Sequence, residues 1–593
     1  GKETDGCERV ASRGASGPED AIRRGKRVRE HVNAELHPQA EGSQKHRGDG
    51  RERGFSPSDG NNQGMRDGRN GSNSFASAPE NHNDRNARDG RSDRAVGNSR
   101  KGGRGNARDA RRDRKPEGWH PGRQESNVAR LVAFEVLRAV DEDDAYANLV
   151  LPVEIARAGL NKLDAAYATN LCYGTLRMRG RWDAIISRCA KGRRIYDIDP
   201  PVLDLLRMGC EQLLAMETPP HAAIHETVVI ARNFFGQGTG GFVNAVLRRI
   251  SEKADQWQEI IRASTASHTE FVSLWHSHPR WIVEALEESL EASGRSRDDV
   301  ESVLAAHNAP AKVALAARAI SPEALAERVE AAKMEAFPGY LMPNAVLLGR
   351  GDPHRLYPVR DGLAGVQDEG SQLIAALFAS APIEGKDELW LDMCAGPGGK
   401  TATLAAIAQE RGARIHANEP QEHRLDLVAA SVEPWGDTVA LRLGDGRELG
   451  AQEPETYDRV LVDAPCSGLG ALRRRPEARW RKDPKDIPGL AKLQRQLLAS
   501  AFKALRPGGA LVYSTCSPVL AETRDVVRDF LAAHGRAKLL DAGEVANRVA
   551  IRDVSAREGM VQLWADTDRT DGMFIALITK ELDPELSAGS MTS

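Results

Sequence analysis

The sequence predicts a multidomain protein: a disordered tail, an all-helical bundle, a small α+β unit and an α/β domain on a mostly parallel sheet. Three observations predict this arrangement. The first part of the chain is polar, apolar residues then recur at helical spacing, and short apolar strands finally alternate with helices. A chain of 593 residues is long enough for several cores. We place the parts at 1–122, 123–255, 256–365 and 366–582, with a disordered C-terminus at 583–593.

The tail accounts for a charge asymmetry that the net charge of −3 conceals. Residues 1–120 contain 26 Lys and Arg against 19 Asp and Glu, with few apolar side chains. Such a segment cannot bury enough apolar surface to offset the entropy lost on ordering, so we predict that it is disordered. Its arginines suit loose contacts with RNA phosphates, but a solvated, charge-mixed tail without a specific partner explains the composition equally well.

The second part is predicted to be a helical bundle. Val128, Leu131 and Val132 begin a helical apolar pattern. Further amphipathic stretches lie at about 143–158, 163–190, 200–217, 221–235 and 239–253. Paired prolines at 200–201 and 219–220 suit helix entries. The many arginines of this part favour RNA docking over a role in packing alone.

The third part contains both helical and strand-like apolar spacing. We predict a helix over Trp275–Leu290, a strand over Pro310–Ala317, a helix over Pro322–Ala332 and a short strand over Val346–Leu348. This pattern fits a small α+β unit.

The last part alternates strands with helices, which indicates βαβ units and a sheet covered on both faces. The candidate strands are Glu388–Asp392, Arg414–Asn418, Val439–Leu443, Asp458–Asp463, Ala510–Ser514 and Met573–Ile578. Ligands of such sheets bind beyond the carboxyl ends of the strands. The chemically capable residues of this part fall at those ends.

A glycine-rich turn over Cys394–Lys400 follows the first of these strands. It fits neither the Walker A pattern nor the dinucleotide fingerprint, yet its glycines allow a ligand to approach the backbone closely. Glu419 and Asp445 follow the next two strands, where carboxylates suit ribose hydroxyls and an adenine amino group, and Asp463 ends the fourth. These four signals indicate an adenosine-bearing cofactor with an amino-acid tail.

Two cysteines, Cys466 and Cys516, follow buried-type strands in the same domain. A lone cysteine is usually a small buried hydrophobe, but two thiols at neighbouring strand ends indicate chemistry on a base. Cytosine C5 is a poor nucleophile until a soft nucleophile adds to C6, and a thiolate is best suited to that addition. The seven cysteines form no CxxC pair and no zinc spacing, so we expect no metal and a reducing, cytoplasmic setting. No stretch is apolar enough for a membrane helix.

These segments resemble the motifs of the Nol/Nop/Sun family of RNA (cytosine-5)-methyltransferases. The resemblance is carried by Asp392–Thr401, Asp463–Gly470, Arg473–Glu477, Tyr513–Ser517 and Asp571–Ala576. The helical part is similar to the antitermination factor NusB, a pairing found in the RsmB kind of bacterial 16S ribosomal RNA enzymes. The segments that carry this second similarity are Asp164–Arg177, Pro219–Ala223 and Asn244–Arg248.

The resemblance implies a Rossmann-like class I methyltransferase domain that uses S-adenosylmethionine. Cys516 would add to C6, Cys466 would assist release of the product, and Asp463 would lie beside the cofactor and the base. The cofactor residues would be Cys394, Ala395, Gly396, Pro397, Gly398, Gly399, Lys400, Glu419, Asp445 and Asp463. Arg473, Arg474 and Arg475 would contact RNA phosphates, against the alternative of a solvated charge run.

Two departures from the family pattern are visible. Gly396 stands where alanine is common, which we expect to be harmless, and Glu419 stands where aspartate is commoner, which would re-space the ribose contact by one methylene. The substrate implied is 16S ribosomal RNA, free or in early small-subunit particles, and the enzyme is expected to act as a monomer.

Two other functions are compatible with parts of the sequence: the same chemistry on transfer RNA or another RNA, and a non-catalytic RNA-binding or ribosome-assembly factor. The two cysteines and the complete cofactor loop disfavour the second. An amino-methylating enzyme is disfavoured because Asp463-Ala464-Pro465-Cys466 replaces the Asp/Asn-Pro-Pro-aromatic strand end of that class.

Overall fold

The structure is a computed structural model, and it describes residues 127–582. The predicted disorder of residues 1–122 and 583–593 lies outside the described residues.

The first described part is helical, as predicted. Its helices are α1 (Val128–Glu142), α2 (Ala147–Ala158), α3 (Lys162–Arg177), α4 (Arg179–Cys189), α5 (Pro200–Leu214), α6 (Pro220–Ser251), α7 (Trp257–Ala263), α8 (His268–Trp275), α9 (Arg280–Ala292) and α10 (Val300–Asn308). Helix α6 is interrupted at Gly236, whose φ of 86° is not helical, so the predicted break between 235 and 239 is present.

Two predicted helices are each divided in the structure. The helix predicted over Trp275–Leu290 is present from Arg280 onward, but it is separated from Trp275, because α8 ends at Trp275 and α9 begins only after Pro279. Proline lacks the N–H that would continue the helix and disfavours helical backbone at the residue before it. The stretch predicted over 163–190 likewise divides at Met178, which separates α3 from α4.

A four-stranded antiparallel sheet with two helices follows and confirms the α+β unit. Its elements are β1 (Val313–Ala317), α11 (Pro322–Ala331), β2 (Ala336–Pro338), β3 (Ala345–Leu348), α12 (Tyr357–Arg360) and β4 (Ala364–Val366). The strand order is β2-β3-β1-β4. Strands β2 and β4 escaped prediction because three residues are too few to show a period.

The last described part is the α/β domain. Its helices are α13 (Glu369–Ser380), α14 (Gly399–Arg411), α15 (Glu422–Val432), α16 (Gly446–Gln452), α17 (Ile487–Ala504), α18 (Arg524–Ala533) and α19 (Ala542–Val549). Its strands are β5 (Leu389–Asp392), β6 (Arg414–Glu419), β7 (Val439–Leu443), β8 (Tyr457–Asp463), β9 (Leu505–Thr515), β10 (Ala537–Leu540), β11 (Ala556–Arg557), β12 (Met560–Gln562) and β13 (Phe574–Lys580).

The sheet runs β11-β12-β13-β9-β8-β5-β6-β7, and β10 also pairs with β13. Strands β7, β6, β5, β8 and β9 are mutually parallel, whereas β13 is antiparallel to β9. All six predicted strands are present, and three short strands at one side were not predicted. Parallel pairing brings the carboxyl ends of β5, β6, β8 and β9 to one edge, where the candidate residues lie.

The segment after Cys466 joins this domain to the helical part. Leu469 and Leu472 belong to the hydrophobic core of the bundle. Arg479 is fully buried and donates to the carbonyl of Ser277 (3.0 Å) and to the side chain of Asn308 (2.8 Å). The helical part therefore holds the chain that leaves the Cys466 loop. Within residues 127–582 no helix combines the length and apolarity needed to cross a bilayer.

Candidate functional site

The two candidate cysteines lie next to each other at the ends of neighbouring strands. Asp463 ends β8 and pairs in register with Ser514 of β9. Cys466 follows three residues after Asp463, and Cys516 follows β9 directly. The two Sγ atoms are 3.4 Å apart, and both thiols are half-buried. The parallel pairing of β8 with β9 therefore places two thiols within reach of one substrate atom.

The surroundings of the pair shift the pKa values of the two thiols in opposite directions. The hydrogen bond from Cys466 lowers the pKa of Cys516; burial and Asp463 oppose this shift, and Lys400 supports it. The pKa of Cys466 is raised well above its usual range by the same hydrogen bond, by burial and by the charges of Cys516 and Glu522. Cys516 is thus favoured as the thiolate and Cys466 as its protonated neighbour, which matches a nucleophile and an assisting group.

Lys400 connects the glycine-rich loop to the strand ends. Its Nζ donates to Oδ2 of Asp463 at 2.8 Å and to the hydroxyl of Ser371 at 3.2 Å. The hydroxyl of Ser514 donates to the other oxygen of Asp463 at 2.9 Å. Burial opposes the charge of Lys400, but Asp463 outweighs it and raises the pKa of Lys400. Lys400 is therefore held as a cation beside the thiols.

A cavity of about 290 Å³ opens between this ion pair and the glycine-rich loop. The loop residues that line it are Cys394, Ala395, Gly396, Pro397, Gly399 and Lys400. Helix α14 begins at Gly399 after Gly398, whose φ is 103°, so its free N–H groups suit an anion such as a carboxylate. Asp392 at the rim is buried, has one oxygen without a hydrogen-bond partner, and has its pKa raised to about 7 by burial.

Glu419 and Gly396, the two positions expected to depart from the family pattern, are in direct contact. Oε2 of Glu419 accepts the N–H of Gly396 at 3.2 Å, and a Cβ at position 396 would lie 2.3 Å from that oxygen. The longer carboxylate fills the space that an alanine methyl would need, so alanine at this position would have to displace the Glu419 carboxylate. The expectation that this glycine is a harmless change is therefore incomplete. Glu419 is 1 % exposed and also contacts Arg424.

Asp445 lies apart from the cavity that the loop lines. It caps α16 by accepting the N–H of Arg447 at 2.9 Å, and it forms an ion pair with the Arg447 side chain. The hydrogen bond from the Arg447 side chain lowers the pKa of Asp445. The carboxylate is partly exposed, and it lines a separate surface depression with Lys503.

The three predicted phosphate-binding arginines differ in their surroundings. Arg473 is 8 % exposed and pairs with Asp368 and Asp571 at 2.7 and 2.6 Å. Arg474 pairs with the same two carboxylates and borders the cavity. Arg475 is exposed, and its guanidinium lies 5.5 Å from the ring centre of Tyr146. Arg473 and Arg474 thus hold the wall of the site, and Arg475 is the arginine of the three without a carboxylate partner among the described residues.

Sequence reasoning missed Glu522, a fully buried carboxylate beneath both cysteine loops. It accepts the N–H of Ser467 at 2.8 Å and the hydroxyl of Ser517 at 2.6 Å. In the sequence it is one acid in a short turn after Cys516, with no periodicity or strand end to distinguish it.

Comparisons with known proteins identify relatives of both the helical part and the α/β domain. The profile of a family described as 16S rRNA methyltransferase RsmB/F matches residues 381–579, and that of the NusB family matches residues 127–252. The "Putative methyltransferase Rv1407" of Mycobacterium tuberculosis is 46% identical over 471 residues, which cover 78% of this chain and 99% of that protein. The "Probable ribosomal RNA small subunit methyltransferase B" of Bacillus subtilis is 31% identical over 461 residues, covering 76% and 98%.

Relatives at lower identity point the same way. The "Ribosomal RNA small subunit methyltransferase B" of Escherichia coli K12 is 30% identical over 428 residues, covering 71% of this chain and 94% of that protein. The crystal structure of PH0851 superposes with a TM-score of 0.63 at 22% identity, covering 77% of this chain and 100% of that one, which supports the fold. This chain belongs to the RsmB/F family of 16S rRNA methyltransferases and is an S-adenosylmethionine-dependent RNA methyltransferase.

Proposed function

We propose that this chain methylates C5 of a cytosine in 16S ribosomal RNA, with S-adenosylmethionine as donor and Cys516 as the nucleophile at C6. The observation that carries the proposal is the Sγ–Sγ contact of 3.4 Å between Cys516 and Cys466, with opposite shifts of their pKa values. A methyltransferase acting on an oxygen or an amine has no use for a thiolate at this place, whereas C5 of cytosine requires one.

In the first step the Cys516 thiolate attacks C6, the C5–C6 double bond opens, and C5 becomes nucleophilic. Bound S-adenosylmethionine would supply an electrophilic methyl group: C5 forms the new carbon–carbon bond as the methyl–sulfur bond breaks, and S-adenosylhomocysteine leaves. Asp463, which ends β8 beside Cys516, is suited to accept a hydrogen bond from the exocyclic amine of cytosine, a group that uracil lacks. This contact would favour cytosine over uracil.

In the second step C5 loses its proton, the C5–C6 double bond re-forms, and the Cys516–C6 bond breaks to return the thiolate. Two of the effects that raise the pKa of Cys466 come from Cys516: the hydrogen bond and the charge. Both disappear while Cys516 is bonded to C6, so Cys466 can lose its proton to solvent during that interval, and the resulting thiolate can take the C5 proton. Formation of the adduct at Cys516 thus enables Cys466 to act as the base that completes the reaction.

The cofactor would be held by the loop Cys394–Lys400, with Glu419, Asp445 and Asp463 at successive strand ends. The cavity fits this group: its floor is the N-terminus of α14, which suits the carboxylate of the methionine part, and Asp392 suits the ammonium. Glu419 ends β6 and Asp445 follows β7, on the side where ribose and adenine would lie. We propose that Glu419 contacts the ribose and that Asp445 contacts the adenine.

A double-mutant cycle tests the cofactor assignment. Gly396→Ala is expected to weaken cofactor binding by at least tenfold, about 1.4 kcal/mol, because the new methyl displaces the Glu419 carboxylate from the loop. Glu419→Asp alone should cost less, and the double variant should recover most of the Gly396→Ala loss because the shorter acid vacates the space. Isothermal calorimetry with S-adenosylmethionine measures all four proteins. Additive losses would contradict the proposed coupling, and unchanged affinity in every variant would remove these residues from the site.

RNA is the proposed partner of the helical part and of the exposed arginines, Arg475 among them. The helical part holds the segment after Cys466 through buried contacts such as those of Arg479. RNA bound to the helical part would therefore have a fixed position relative to the Cys466 loop. Ribosomal RNA in free or early-particle form, a monomeric enzyme and a cytoplasmic location belong to the same proposal. Transfer RNA as the substrate is the second candidate.

Mapping of 5-methylcytosine distinguishes the substrates. Bisulfite sequencing compares ribosomal and transfer RNA from the wild type and from a strain lacking this gene. One 16S cytosine that resists bisulfite conversion in the wild type should be converted in the strain lacking the gene. The wild-type gene should restore that protection and the Cys516→Ala gene should not. Loss of a transfer RNA signal with unchanged 16S RNA would select the second candidate, and no change in either RNA would contradict cytosine C5 methylation.

A further inference from the structure

The carboxylate of Glu522 lies where the two cysteine loops meet, and it touches both. Its Oε1 accepts the N–H of Ser467, the residue after Cys466, at 2.8 Å. Its Oε2 accepts the hydroxyl of Ser517, the residue after Cys516, at 2.6 Å. The two serine hydroxyls are themselves 3.1 Å apart. One buried side chain therefore spans the gap between the residues that follow the two thiols.

Two further hydrogen bonds tie Glu522 to the residues before the thiols. Gln494 of α17 donates from Nε2 to Glu522 Oε1 at 3.1 Å and to the carbonyl of Pro465 at 2.9 Å. The hydroxyl of Tyr513, within β9, donates to the backbone carbonyl of Glu522 at 2.8 Å. Both loops are thus fixed on each side of their cysteine by contacts that converge on one residue.

Glu522 is 0 % exposed, and no basic side chain of residues 127–582 forms an ion pair with it. A buried carboxylate without a cation is expensive, and hydrogen bonds from three donors compensate only part of that expense. The two carboxylate oxygens of Glu522 nevertheless reach the residues that follow both cysteines, and this geometry indicates a role beyond packing. The charge of Glu522 is one of the causes that raise the pKa of the Cys466 thiol.

We propose that Glu522 is a positioning residue that sets the separation of Cys466 and Cys516 by holding both cysteine loops. Its negative charge beneath the Cys466 loop also favours the protonated form of Cys466, which is the form that donates to Cys516. The inference rests on the proposed function in treating these thiols as the reacting groups. The geometric part can be measured without any methylation.

The rate of disulfide formation between the two thiols reports their separation. Diamide, a thiol oxidant, takes two electrons and two protons from Cys466 and Cys516 as the S–S bond forms, and peptide mass spectrometry quantifies the product in the full-length protein. Glu522→Gln and Ser517→Ala are expected to slow this reaction at least about tenfold. The same variants should lower kcat about 100-fold, the effect of misplacing a reacting group by about 1 Å, with KM for both substrates unchanged.

Glu369→Gln is the matched control, since Glu369 is also buried and accepts N–H groups from Tyr340, Leu341 and Met342. It should lower the melting temperature comparably and leave the cross-linking rate at the wild-type value. Wild-type cross-linking in Glu522→Gln, or equal slowing in Glu369→Gln, would overturn the inference. If Glu522→Gln does not fold, Ser517→Ala decides by the same two outcomes. A slowed cross-link without cytosine methylation in any protein would refute the proposed function and leave the positioning role standing.

Discussion

Cys516→Ala is expected to abolish both methylation and covalent attachment to RNA, because C5 never becomes nucleophilic without addition at C6. The methylation rate should fall by at least about 10⁴-fold, the order of effect of removing a covalent nucleophile. Cys466→Ala should still add to the base and transfer the methyl group, but release should fail. Protein trapped on methylated RNA is therefore the expected product of Cys466→Ala.

Denaturing gels with radiolabelled RNA separate these outcomes. Cys189→Ala, which removes a thiol buried in the helical core, is the control and should behave as wild type. A stable adduct in Cys516→Ala together with none in Cys466→Ala would reverse the two roles.

The same variants predict a shift in pH dependence. The hydrogen bond from Cys466 lowers the pKa of Cys516, so Cys466→Ala removes the main cause of that shift. The pKa of Cys516 then rises, less thiolate is present at a given pH, and the pH profile of adduct formation moves to higher pH. A profile unchanged from wild type in single-turnover measurements would contradict this electrostatic account.

Gly470→Ala is expected to reduce turnover about 100-fold without any change at a cysteine. A Cβ at position 470 would lie 1.9 Å from the carbonyl oxygen of Gly572, a contact that only backbone movement relieves. Gly470 also donates its N–H to the carbonyl of Cys516 at 2.9 Å and accepts the N–H of Gly572 at 2.8 Å. Displacement of Gly470 therefore shifts the Cys516 loop, and overpacking should cost about 1–3 kcal/mol of stability.

Gly489→Ala is the matched control, because its Cβ meets no atom within 4 Å and it lies within α17. Single-turnover rates and thermal melts of both variants test the prediction. Normal turnover in Gly470→Ala would show that the loops tolerate the shift and that their spacing is not limiting.

Much of the site was predictable because it lies at strand ends, which periodicity identifies. The apolar runs before Asp463 and Cys516 are buried strands, and parallel strands leave their carboxyl ends at one edge. Glu419 ends β6 for the same reason. Helix interruptions were less predictable: the break before Arg280 depends on a single proline within an otherwise amphipathic stretch.

Contacts between segments far apart in the chain could not be predicted. Arg473 and Arg474 were predicted to contact RNA phosphates, yet they meet Asp368 and Asp571 about 100 residues away in each direction. Glu522 likewise acquires its role from loops that only the pairing of β8 with β9 brings together. Such partners depend on three-dimensional proximity, which no local pattern encodes.

The sequence by itself determined the class of fold, the strand ends that carry the thiols and the acids, and the glycine-rich loop, because each follows from local periodicity and residue type. The tertiary structure decided which thiol is favoured as the thiolate, why glycine stands at position 396, and which residue spans the two cysteine loops. These depend on distances of about 3 Å between side chains from different elements, where hydrogen bonding and burial act. The strand ends therefore supply the reactive side chains of this site, and the packing between the strands determines their distances and protonation.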